Sequence, residues 1–293
     1  MRNEKEMMDL IINFAKGNEH VRAVYMNGSR TNPNAPKDIF QDYDIVYVVT
    51  ETASFISDKS WINQFGNLLM MQEPDRNDLG LQMDVDFQRS YSFLMLFKDG
   101  NRIDLRMLTK ETMLNEYEKD SLTIPLLDKD SILPKIPPPS DRNYHLKKPT
   151  EEEFTSFTNE FWWCLQNVAK GIWRDELPYA QWMSERPIRN ALNQVFSWWI
   201  GIKQNFNVST GKSGKYFKKY LPEDYWQMYK KTYSEANDQS MWNSLFIACD
   251  LFRILAQDIA EHFSFYYPTE DDQNMTKYLK QIRILSIDAT EIR

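Results

Sequence analysis

Three aspartates are spaced as a cation site would need them. In "DYDIVYVV", residues 42–49, Asp42 and Asp44 stand two apart at the mouth of an apolar, β-branched run. Alternate side chains of an extended strand share a face, so the two carboxylates point the same way. At that separation they repel, and a shared divalent cation relieves the repulsion. The third acid lies sixty residues on, in "NRIDLRML", residues 101–108. There Ile103, Leu105 and Met107 alternate toward a core, which leaves Arg102, Asp104 and Arg106 on the other face. If that strand neighbours the Asp42 strand, three carboxylates converge. Three acids on one face can hold two Mg²⁺ ions, as phosphoryl transfer requires.

Ahead of Asp42, with twelve residues intervening, comes a Gly28-Ser29 turn followed by Arg30. Glycine lets the backbone come close to a ligand, the Ser29 hydroxyl and nearby amides can bind phosphate oxygens, and Arg30 can add a bidentate charge. Each piece has a plain alternative: a D-x-D can be a solvated sheet edge, and Gly-Ser is an ordinary turn. Their order (strand, Gly-Ser, loop, D-x-D, later strand Asp) favours a site for a metal-bound polyphosphate.

These groups must be positioned by a mixed set of elements. Residues 4–16 carry Met7, Met8, Ile11, Ile12 and Phe14 at helical spacing up to Gly17-Asn18. "HVRAVYMNG" and "YDIVYVV" read as strands, residues 53–65 as a helical segment, and "NLLMMQE" as a further strand. "YSFLMLFKDGNRIDLRML" holds two strand-like runs around Asp99-Gly100, a dipeptide suited to a tight hairpin. The fold class expected is α+β: a mixed sheet with helices, followed by an α-helical bundle. Residues 1–132 would form the first domain. Residues 133–149, with five prolines, would be an extended linker. Residues 150–293 would form the helical domain, opened by a capping box between Thr150 and Glu153. The aromatic runs "FWWC" and "FSWW" read as core.

The segments "GSRTNPNAPKDIFQDYDIVYVV", "FKDGNRIDL" and "EFWWCLQNVAKGIWRDELPYAQWM" resemble those of the aminoglycoside 6-adenylyltransferases (streptomycin adenylyltransferases), a family of the nucleotidyltransferase superfamily with a polymerase-β-like fold. The resemblance runs to about residue 280. It implies transfer of AMP from Mg-ATP to a hydroxyl at the 6-position of streptidine in streptomycin, with release of pyrophosphate and antibiotic resistance as the consequence. Carried over by position, Asp42, Asp44 and Asp104 would hold Mg²⁺. Asp104 is the candidate to deprotonate the attacking hydroxyl, although related aminoglycoside nucleotidyltransferases differ in which carboxylate serves. Gly28, Ser29 and Arg30 would hold the β- and γ-phosphates.

The helical half offers two further candidates. "GIWRDELPYAQW" presents Trp173, Asp175, Glu176 and Tyr179, aromatic faces and carboxylates suited to a guanidinium-bearing acceptor. The same acids are also what a helix start beside Pro178 favours. "STGKSGKYFKKY" is not a Walker A loop, because Phe206 stands where its first glycine would be. Lys212 and Lys215 on this glycine-flexible loop would either reach the triphosphate or form a solvated basic loop.

The bulk properties exclude several other classes. The 293 residues carry a formal charge of −7, which argues against a nucleic-acid-binding role and suits a cationic acceptor. His20, His145 and His262 are scattered, so neither a zinc cluster nor a Ser-His-Asp triad is in view. Cys164 and Cys249 read as buried small hydrophobes. With a charged N-terminus and no membrane-length apolar run, the expectation is a soluble cytoplasmic enzyme, monomeric or homodimeric, with no membrane partner. Two alternatives are a nucleotidyltransferase acting on a different small-molecule or protein hydroxyl, and a nucleotide-binding regulator without turnover.

Overall fold

The computed structural model describes residues 1–292, which fall into two compact units divided between Asn143 and Tyr144. The class is α+β, with one mixed sheet followed by a helical portion. No helix among the described residues is long and apolar enough to cross a membrane.

The first unit is built on six strands: β1 (Val21–Asn27), β2 (Tyr43–Val49), β3 (Leu68–Gln72), β4 (Ser90–Phe97), β5 (Arg102–Thr109) and β6 (Ile124–Asp128). Their spatial order is β3-β4-β5-β2-β1-β6, antiparallel throughout except for the central β2–β5 pair. A parallel central pair is buried on both sides, which explains why "IVYVV" in β2 is apolar without alternation. The hairpin between β4 and β5 turns at Gly100, whose φ of +86° is the left-handed conformation glycine tolerates.

Four helices flank the sheet: α1 (Glu4–Gly17), α2 (Ala53–Ser57), α3 (Pro74–Gly80) and α4 (Lys110–Glu116). Helix α1 begins with a capping box, Asn3 Oδ1 accepting from Glu6 N at 3.0 Å and Glu6 Oε2 from Asn3 N at 2.7 Å. Its stripe of Met7, Ile11 and Phe14 covers the sheet face formed by Val24, Tyr43, Ile45, Tyr47, Leu105 and Met107. The helical segment expected over 53–65 is not continuous: α2 stops at Ser57 and a 3₁₀ stretch follows at Ser60–Phe65. The break sits at Asp58, whose carboxylate accepts from Ser60 N at 2.9 Å and Ser60 Oγ at 3.0 Å, a local bond that competes with the helix ladder.

The opposite sheet face has two halves. Toward the C-terminal ends of β2 and β5 it is apolar, with Ala23, Tyr25, Val46, Val48 and Leu108 packed under Met113 and Tyr117. Toward their N-terminal ends the same face carries Asp44 and Asp104. The proline-rich segment does not start as a free tether, because Ile132, Leu133 and Ile136 pack on the apolar half.

The second unit contains seven helices among its described residues: α5 (Glu151–Trp173), α6 (Leu177–Met183), α7 (Arg189–Lys203), α8 (Phe217–Tyr220), α9 (Glu223–Lys231), α10 (Asp238–Phe263) and α11 (Thr269–Arg283). The capping box at Thr150 and Glu153 forms as the sequence suggests. At the centre of the bundle Phe161 of α5 stacks on Phe252 of α10, with centroids 3.7 Å apart. Arg253 ties α10 to α11 through two 2.6 Å bonds to Asp272, which also accepts from Tyr267 Oη at 2.8 Å. Trp162, Trp198 and Trp199 are core, but Trp163 is 63% exposed. Successive helical residues point about 100° apart, and in α5 the inward position falls to Trp162 while Trp163 turns to the surface. Cys164 and Cys249 are buried free thiols.

Candidate active site

The parallel register of β2 and β5 sets Asp44 directly beside Asp104. Asp42 lies one residue before β2, and one carboxylate oxygen from each of the three acids comes within 4.8 Å of the others. Asp44 is partly buried. Burial, then the charges of Asp42 and Asp104, push its pKa up to about 7, against a smaller opposing pull from Arg102. The donor set fits a divalent cation: three hard oxygen ligands with an excess of negative charge, one of them raised toward neutral pH by burial and by the other two acids.

Arg102 is a member of the site to which the sequence assigned no role. It sits two residues before Asp104 on the same face, and its fork takes both oxygens, Nε to Oδ1 at 2.7 Å and Nη2 to Oδ2 at 2.6 Å. With the guanidinium 46% exposed, the pair adds little stability, so its consequence is local: Asp104 is oriented and neutralised. The alternation of "NRIDLR" held the signal, since residues two apart in a strand share a face. Asn27 of β1 lies across from Asp44 on its other side.

The Gly28-Ser29 turn presses against this face. Gly28 has φ of +78°, and a Cβ there would fall 2.0 Å from Asp44 Oδ2 and 2.8 Å from its Cγ. Thr31 N donates to Gly28 O at 3.2 Å and Asn32 N to Ser29 O at 3.3 Å, forming two overlapping turns. The buried Thr31 Oγ1 lies 2.9 Å from Gly28 O and 2.8 Å from Leu122 O, so the turn is braced against the chain leading into β6.

Arg30 is bound to the backbone that carries Asp42. Its Nε donates to Asp42 O at 2.9 Å and Nη2 to Gln41 O at 2.7 Å, while the guanidinium lies 3.7 Å from the Tyr43 ring centre. Those bonds fix the backbone of Asp42, which stands outside the strand ladder. Lysine keeps the charge but lacks the fork and the stacking plane. Arg30→Lys is therefore expected to lower kcat/KM about tenfold or more, with ATP affinity in EDTA unchanged by calorimetry. A fall in metal-free ATP affinity would instead indicate a direct phosphate contact.

Of the residues singled out in the helical unit, Asp175 and Glu176 lie in the exposed turn between α5 and α6, and Tyr179 is exposed in the first turn of α6. Asp175 adopts φ of +58°, and Glu176 N donates to Gly171 O at 2.8 Å, which closes the end of α5. Trp173 is turned away from them, packed on the bundle with its Nε1 donating to Leu285 O at 3.2 Å. Lys212 and Lys215 flank a loop with positive φ at Gly211, Ser213 and Gly214. The Lys215 ammonium lies 5.1 Å from the centre of the Tyr216 ring.

A mixed sheet that presents three converging carboxylates beside a glycine-serine turn is the arrangement of a nucleotidyltransferase. Comparison with known proteins agrees and is more specific. The sequence profile of the streptomycin adenylyltransferase family matches residues 1–282. The chain is 38% identical over 288 residues to the aminoglycoside 6-adenylyltransferase of Campylobacter jejuni, covering 98% of this chain and 99% of that protein. It is 38% identical over 283 residues to the aminoglycoside 6-adenylyltransferase of Bacillus subtilis (strain 168), covering 96% and 98%. A crystal structure of an aminoglycoside 6-adenyltransferase from Bacillus subtilis aligns with 97% of this chain and 100% of its own, at 33% identity and a TM-score of 0.48. The chain belongs to the streptomycin adenylyltransferase family and is a nucleotidyltransferase, an enzyme that takes a nucleotide as co-substrate.

Proposed function

We propose that the enzyme transfers AMP from Mg-ATP to a hydroxyl of an aminoglycoside, streptomycin at the 6-position of its streptidine ring, and releases pyrophosphate. The observation that carries the chemistry is the convergence of Asp42, Asp44 and Asp104 beside Gly28. The acceptor class follows from the relatives, which are aminoglycoside 6-adenylyltransferases.

In this reading Asp42 and Asp44, with Asp104, hold two Mg²⁺ ions. Bound Mg²⁺ supplies the positive charge that a triphosphate needs at its reacting phosphorus. The backbone at Gly28 and the Ser29 hydroxyl receive the β- and γ-phosphate oxygens, and Lys212 and Lys215 add cationic charge to the nucleotide. Asp104 takes the proton of the acceptor hydroxyl as its oxygen bonds to the α-phosphorus. The bond from that phosphorus to the bridging oxygen breaks, and its electron pair leaves with pyrophosphate. For this Arg102 must release one Asp104 oxygen, while the other stays oriented. Residues 1–132 act as the catalytic domain and 150–293 as the acceptor-binding one, joined through 133–149, with Trp173, Asp175, Glu176 and Tyr179 as acceptor contacts. A reaction that consumes ATP places the enzyme in the cytoplasm.

The test is incubation with Mg-ATP and a panel of aminoglycosides, read by mass spectrometry. The expected result is an AMP adduct on streptomycin and pyrophosphate in equal amount. An adduct on another acceptor only would replace streptomycin in this reading, and no adduct on any aminoglycoside would overturn the acceptor class.

A further inference from the structure

The helical unit carries an open cleft of about 750 Å³ that does not include the turn between α5 and α6. Five stretches of chain line it: Glu160 and Cys164 from α5, Trp182 and Met183 at the end of α6, residues 185–193, Ser213, and Tyr233. Its volume is that of a site for a small ligand.

The wall between α6 and α7 is irregular. Ser184–Ile188 forms a π-helical turn that contains Pro187, which widens the helix where it borders the cleft. Arg189 on this wall is buried, and its donors are taken up by its neighbours. It bonds Glu185 Oε1 at 2.9 Å, Thr232 Oγ1 at 2.5 Å and Thr232 O at 3.0 Å, and it stacks 3.8 Å from the Tyr233 ring centre. Tyr229 Oη donates to Asn193 Oδ1 at 2.8 Å and lies 3.2 Å from Tyr233 Oη. One side of the cleft is thus a fixed polar surface with its charge balanced.

The other side is open. Glu160 accepts only the weak Cys164 thiol, at 3.4 Å. Trp182 is 58% exposed, and no other ring stacks on it among the described residues. Glu160, with no ion pair among the described residues, and the exposed indole of Trp182 line the same space, and a carboxylate and an indole face are each able to receive a guanidinium or ammonium group. Arg186 also lines the space and has no ion pair among the described residues, and with Glu160, Glu185 and Arg189 the lining carries no excess charge. It suits a ligand with a localised cation and many hydroxyls, which Asn190, Asn193 and Arg186 can bind, rather than a compact polycation.

We propose that this cleft binds a cationic, polyhydroxylated group of the acceptor, with Glu160 and Trp182 as the cation-recognising pair. The proposal rests on the aminoglycoside reading and locates its recognition on the π-turn face of the helical unit. Each contact is a charge-assisted or cation–π interaction, and loss of either should weaken acceptor binding about tenfold.

The test compares wild type, Glu160→Gln and Trp182→Ala by streptomycin titration without nucleotide, by calorimetry, and by steady-state kinetics with Mg-ATP. Both variants should raise the streptomycin Kd and KM about tenfold with the ATP KM unchanged, and Trp182→Phe should recover much of the affinity. Wild-type streptomycin affinity in both variants, with the wild-type enzyme active, would overturn this site and leave the function intact. A wild-type enzyme that neither binds nor modifies streptomycin would instead remove the reading on which it rests.

Discussion

Asp44→Asn is expected to abolish AMP transfer, to below about one-thousandth of the wild-type rate, while making the metal-free protein more stable. The two effects have one cause. Asparagine keeps the shape of the side chain and removes the charge that both the reaction and the crowding depend on. In the folded enzyme the Asp44 pKa is pushed up to about 7 from an ordinary 3.8, so the fold disfavours its ionised form. The unfolded chain loses this proton first. Stability from this group is therefore full below the ordinary value and is lost as pH rises through the folded one. Near pH 8 the ionised carboxylate costs on the order of 2–4 kcal/mol. Thermal melts in EDTA near pH 8 should place the Asn variant above wild type, with the gap closing toward about pH 4. Added Mg²⁺ should raise the wild-type melting temperature and leave the variant's unmoved. A variant with undiminished transfer, or one that melts below wild type in EDTA, would contradict this account of Asp44.

The second large effect is expected at Gly28. Any side chain there meets Asp44, since an added Cβ lies 2.0 Å from its Oδ2, and φ of +78° disfavours every other residue. Gly28→Ala must displace the carboxylate, move the turn, or both. We expect kcat/KM to fall by more than about a hundredfold and the melting temperature to drop, because strain and displacement act together. Thermal melts and steady-state kinetics on one preparation check both. An alanine variant of wild-type stability and activity would mean that the turn does not pack on Asp44 as described.

What could be read from the sequence was local or periodic. The Thr150–Glu153 cap, the turn at Asp99-Gly100 and the shared face of Arg102, Asp104 and Arg106 all follow from spacing within a few residues. That β5 lies beside β2, in parallel and in register at Asp44 and Asp104, depends on pairing between distant strands, so the sequence could state it only as a condition. Arg102 was missed for the same reason, because a strand-face arginine acquires meaning once its neighbours are known. Arg30 illustrates a different limit. Its type suggests phosphate, and no local spacing announces the bonds its fork makes to the carbonyls of Gln41 and Asp42. The break at Asp58 and the exposure of Trp163 are cases where a side-chain bond or a helix phase overrode a regional pattern.

The most direct test of the three-acid site is the dependence of AMP transfer to streptomycin on free Mg²⁺, measured for wild type and Asp104→Asn at saturating ATP. The expected result is no transfer in EDTA, full recovery as Mg²⁺ is restored to wild type, and no recovery at any Mg²⁺ concentration in the variant. Transfer that persists in EDTA, or that Asp104→Asn sustains at the wild-type rate, would contradict it.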